Sequence, residues 1–135
     1  MPSRRLVSLL LAAALALAAG AVAAASPVVE IVAMPHPPVV AALKPLRAWL
    51  ANQGAALSVT EMDSESDEGR QRMAAAGLQG HIPVLILIDG QYRFRRSDGS
   101  PVAFVNFPDR PQSPPGVRGN WHIEDVEALL QERMQ

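Results

Sequence analysis

Apolar residues are distributed along this chain in three ways, and each predicts a different element. From Leu6 to Ala25 they form one run without a charge, behind Arg4 and Arg5. Two later runs are short and rich in branched side chains: Val28 to Ala33, and the stretch His81-Ile82-Pro83-Val84-Leu85-Ile86-Leu87-Ile88, closed by Asp89-Gly90. Short continuous runs of this kind predict buried strands, and the second is apolar enough to be covered on both faces. Between them, Val39, Val40, Leu43, Leu46, Trp49 and Leu50 recur at three and four, which predicts an amphipathic helix over Val39–Asn52, with Gly54 just beyond its end.

The segment Met34-Pro35-His36-Pro37-Pro38 cannot continue a strand, because proline has no N–H to donate and fixes its own φ. It reads as a rigid loop leading into the first helix. Ala56 to Met62 alternates and predicts a second strand, followed by a second helix capped by Ser64 or Ser66, with Asp67 and Glu68 near its positive end, running to about Gly77. Tyr92–Arg96 and Val102–Phe107 flank Ser97-Asp98-Gly99-Ser100, a hairpin signal at the sheet margin, where arginines reach water. Pro108 to Asn120 has the proline and glycine content of a loop, either a partner-binding surface or a strap. A last helix over His122–Met134 is expected to bury Ile123, Val126, Leu129 and Leu130, with Trp121 anchoring the preceding loop on the core.

Composition changes this picture at the N-terminus. Two arginines, a long Leu/Ala run and Ala23-Ala24-Ala25 before Ser26 have the layout of a secretory signal cleaved after Ala25, although about 20 apolar residues would also suffice for an uncleaved membrane anchor. The expected organisation is a signal peptide over 1–25 and one domain over 26–135, in a periplasmic or secreted protein that meets a membrane only through that segment if it is retained. The 110 residues from 26 onward suffice for one core and are too few for two ordinary domains. They hold 10 basic residues (12 minus Arg4 and Arg5) against 13 acidic ones, a net charge of −3, which gives no reason to expect nucleic-acid binding. The chain has no cysteine, so no disulfide stabilises it and thiol chemistry is excluded.

The order strand, helix, strand, helix, strand, hairpin, helix resembles the thioredoxin-like fold, an α/β architecture with a central mixed sheet flanked by helices. Met34-Pro35-His36-Pro37 resembles the Cys-Pro-His-Cys of periplasmic disulfide oxidoreductases with both cysteines replaced, and Ile82-Pro83 is similar to that family's cis-proline. In the family the attacking thiolate sits at a helix N-terminus and exchange passes through a mixed disulfide. A methionine thioether and a proline can do neither. The resemblance therefore implies a redox-inactive member acting by binding, with Met34, Pro35, His36, Pro37, His81, Ile82 and Pro83 as the ligand-binding surface and an envelope protein or peptide as partner.

The alternative is metal handling. Met34, His36 and His81 would be neighbours in that architecture, and thioether with imidazole is a soft donor set suited to Cu(I). Other constellations carry less. Asp63-Ser64-Glu65-Ser66-Asp67 has alternating carboxylates, but a calcium loop would need Gly and Glu where Glu68 and Ala74 stand. No hydrolase signature is present, so no catalytic residue is assigned. Arg93 and Arg95 on one strand face, with Arg96 on the other, read as edge charges that discourage aggregation rather than as an anion grip.

Overall fold

In the computed structural model, which describes residues 25–135, the elements are β1 (Val28–Ala33), α1 (Pro37–Asn52), β2 (Ser58–Asp63), α2 (Asp67–Ala75), β3 (Val84–Ile88), β4 (Arg93–Arg95), β5 (Pro101–Ala103) and α3 (Ile123–Arg133). The expected signal peptide and its cleavage point fall almost wholly outside the described residues. Among the described residues no helix is long and apolar enough to cross a membrane.

The fold is α/β. A mixed three-stranded sheet has the order β2-β1-β3, with β1 parallel to β2 and antiparallel to β3. Parallel neighbours need a crossover, which α1 supplies between β1 and β2. Alternation along each strand then sorts the core into two layers. Val29, Ile31 and Ala33 of β1 join Val84, Ile86 and Ile88 of β3 against Leu43, Leu46 and Leu50 of α1 and Val126 and Leu130 of α3. Val32, Leu85 and Leu87 point the other way, onto Met73 of α2. Every side chain of β3 is fully buried, as its unbroken apolar run requires. β2 is an edge strand exposed along nearly its whole length, and only Leu57, just before it, is buried.

Boundaries differ from the sequence expectations where backbone chemistry outweighs side-chain pattern. The first helix begins at Pro37, two residues early, because its first turn has N–H groups with no intrahelical partner and proline costs nothing there. Pro45 lies inside the same helix, so one interior hydrogen bond is forgone. A short 3₁₀ turn over Gly54–Ala56 delays the second strand to Ser58. Ser66, not Ser64, caps α2: its Oγ accepts from the Gly69 N–H at 3.0 Å. α2 ends at Ala75, just before Gly77, whose φ of 78° suits glycine.

The hairpin forms, with Phe94 paired to Val102, but β4 and β5 make a separate two-stranded sheet. Its second arm then continues onto the main sheet, where Ile86 donates to the Phe104 carbonyl at 2.9 Å and Asn106 to the Val84 carbonyl at 2.8 Å. Residues 108–120 are a strap held by the Ser113 hydroxyl on the Pro108 carbonyl and by Trp121, fully buried edge-on to Phe104. In α3, Leu129 is only half-buried, in contrast to the expectation that it joins the core fully. Arg96 is not a free edge charge. It forks onto Asp125 of α3 at 2.8 and 3.0 Å, and its guanidinium also meets the Asn120 carbonyl.

Candidate functional site

The residues singled out from the sequence come together at one end of the sheet, where β1 ends and β3 begins. Antiparallel pairing of these strands puts Met34, just after β1, beside Pro83, just before β3, and the Met34 N–H donates to the Pro83 carbonyl at 3.0 Å. The Ile82–Pro83 peptide is trans, since the described residues contain no cis bond. This departs from the family's cis-proline.

His36 occupies the N-cap position of α1 in extended conformation, and its carbonyl accepts from the N–H groups of Val39 and Val40 at 3.0 Å. The proline on either side of it restricts the backbone, so the imidazole projects from a stiff corner. Its Nε2 meets a carboxylate oxygen of Glu65 at 2.5 Å, with both side chains about half exposed. Glu65 is delivered by a tight turn. Its own N–H and the Ser66 hydroxyl bond Asp63, at 2.7 and 2.6 Å, and Gly69 packs so closely there that a Cβ would lie 2.0 Å from the Asp63 carbonyl oxygen. The sequence pattern marks this stretch as an acidic helix start that does not fit a calcium loop, so Glu65 is not among the expected site residues.

Met34, His36, His81 and Pro83 line one solvent-open hollow of about 250 Å³, completed by Pro38, Val39, Phe107, Pro114 and Val117. A second hollow of about 410 Å³ begins on the other side of Met34 and His81 and includes Ser64, Glu65, Arg70, Met73 and Ile82. Pro35 and Pro37 are exposed and line neither hollow; their role is to fix the backbone around His36. Met34 is half-buried against the larger core layer and Ile82 against the smaller, so the site straddles both. The hydrophobic wall contributed by Phe107, Pro114 and Val117 was also missed. These residues are remote in sequence, and only the return of the strap across α1 brings them here.

The site holds no thiol. Its polar groups include one imidazole paired to a carboxylate, a second imidazole on an exposed residue, Arg70 and Gln79 at the rim of the second hollow, and Ser64, whose Oγ is buried and makes no hydrogen bond within the described residues. Burial of an unpaired hydroxyl costs about 1–3 kcal/mol. Among the described residues no three His, Asp or Glu side chains are gathered closely enough to hold a metal ion. A metal here would need the Met34 thioether and would take Nδ1 of His36 with Nε2 held on Glu65, or displace Glu65 from Nε2. Open hollows with apolar floors and a few polar groups on the rim are suited to binding. Comparison of the chain with family models, curated proteins and solved structures returns no match.

Proposed function

We propose that this is an exported, redox-inactive protein of thioredoxin-like arrangement that binds a peptide segment of an envelope protein on the surface around Met34, His36, His81, Ile82 and Pro83. The single observation that carries the reading is the shared hollow: residues separated by almost 50 positions, Met34 and His36 on one side and His81 and Pro83 on the other, line it together. The strand order β2-β1-β3, the single antiparallel partner and the placement of α1 after β1 support the thioredoxin-like part of the proposal. Selection of a displayed random heptapeptide library on the immobilised protein tests the binding. Selected peptides are expected to shift the amide NMR signals of Met34, His36, His81 and Ile82. Failure to select any sequence, or shifts confined to another face, would overturn it.

A second reading, copper handling, is favoured by the same convergence of Met34, His36 and His81. It predicts one-to-one Cu(I) binding against a competing chelator under reducing conditions, lost in His36→Ala and His81→Ala. Binding unchanged in both variants would exclude His36 and His81 as ligands and overturn this reading.

A further inference from the structure

The hollow at Met34 does not end at Phe107. Pro38, Phe107 and Pro114 also border a third, larger hollow of about 590 Å³ between α1 and the strap, whose lining includes Ala42 and Arg110. The hollow at Met34 shares Pro38, Phe107 and Pro114 with this one, and an extended peptide places every second side chain on one face, so that one segment can address neighbouring hollows in turn. Prolines 38, 83 and 114 stiffen the walls, so little ordering is left for binding to impose.

Among the described residues, Arg110 stands at the strap end without an acidic partner. Asp109, the nearest carboxylate in sequence to Arg110, faces His122 at 3.8 Å. Glu65, the carboxylate at the groove, is engaged by His36. Arg118 is turned onto the carbonyls of Pro111 and Ser113, and Arg70 onto Asp67 and the Glu65 carbonyl. Arg110 is exposed, borders the hollow, and no carboxylate lies within ion-pair distance of it among the described residues. In a domain whose net charge is −3, this leaves Arg110 as a cation without a carboxylate partner at the edge of a largely apolar hollow.

We propose that the groove takes an extended segment with a bulky apolar side chain in the hollow at Met34 and Pro83 and an acidic side chain two positions away, paired with Arg110. This rests on the peptide-binding reading above and adds to it a sequence preference and a residue outside the expected site. The openness of the hollows to solvent favours a peptide over a small aliphatic carboxylate, which would call for a more enclosing cavity.

The test uses the purified protein at low salt with acetylated, amidated pentapeptides carrying leucine at the centre and glutamate two positions before or after it, their lysine counterparts, and octanoate. The expected result is that at least one glutamate peptide binds about five-fold more tightly than its lysine counterpart, a rim ion pair being modest. Arg110→Glu should reverse that preference, while Met34→Glu should weaken all the peptides alike. Glutamate and lysine peptides binding equally would overturn the acidic preference and leave the peptide site standing. No peptide binding would overturn both. Octanoate binding that depends on Arg110 in the absence of peptide binding would assign the groove to small carboxylates and also overturn the proposal.

Discussion

On one face of the sheet, β1 and β3 lay Val29, Ile31, Val84, Ile86 and Ile88 under two helices and the Phe104–Trp121 pair; on the other, Val32, Leu85 and Leu87 meet the single short helix α2 through Met73. Around the smaller layer Met62, Ala76, Leu78 and Ile82 are only partly covered. Where the thick face places Ile31, the thin face places Glu30, forked onto Arg72 of α2 at 2.9 and 3.0 Å. The difference teaches that stability and ligand access are unevenly shared. The thick layer supplies the free energy that holds the sheet together, whereas the thin layer is docked by one methionine, one ion pair and the Gly69 contact, and the binding groove opens where the two meet.

This contrast can be broken most directly at Trp121. Trp121→Ala should cost about 3–5 kcal/mol in denaturant unfolding, the range for truncating a fully buried large aromatic; a loss under about 1 kcal/mol would mean that the strap is not part of the core. On the thin face Met73→Ala should cost about 2 kcal/mol, at the low end for methionine, because its surroundings can collapse. Hydrogen exchange should then show α2 amides opening before those of α1, and equal protection of the two helices would erase the distinction between the faces.

Acidification sharpens the comparison further. The hydrogen bonds from Arg72 hold the Glu30 carboxyl below its ordinary value of 4.5, outweighing the upward push of burial. A folded-state pKa that is depressed contributes stability above the unfolded value and loses it as pH falls through the folded one. The Glu30–Arg72 contribution, about 1 kcal/mol for a forked pair that keeps some contact with solvent, should therefore be intact above roughly pH 4.5 and be lost as pH falls through the lowered folded value. Glu30→Gln should flatten that part of the stability profile; an unchanged profile would show the pair to be inert. The smallest effect belongs to the site itself. His81 is exposed, so His81→Ala should change stability by no more than about 0.5 kcal/mol. A larger loss would show that the groove is a folding element.

Much of the fold was legible because the strands announce themselves by residue type: VVEIVA and VLILI need no partner to be recognised as buried. The helices were legible by period, and the ends were not, since Pro37 and Ser66 act through N–H groups that hydropathy does not register. Within the site, Met34, His36, His81 and Pro83 could be grouped because a resemblance brought their loops together. Glu65, Phe107 and Arg110 could not, because each depends on a turn or strap whose path is set by contacts such as Gly119, where a Cβ would lie 2.3 Å from the Val105 carbonyl oxygen.

The burial of β3 on both faces also bears on the chain before it folds. Val84–Ile88 pairs with β1, more than 50 residues earlier, and with the Phe104 segment that follows it, so it is exposed until both arrive. Five consecutive apolar residues without charge are the kind of segment that nucleates cross-β aggregates. Pro83 before the run and Asp89-Gly90 after it stand as gatekeepers against self-association. In the folded protein the same Asp89 accepts from the Val28 N–H at 2.9 Å and pairs with Arg133, so one residue guards the strand in solution and later locks it to the first strand and the last helix.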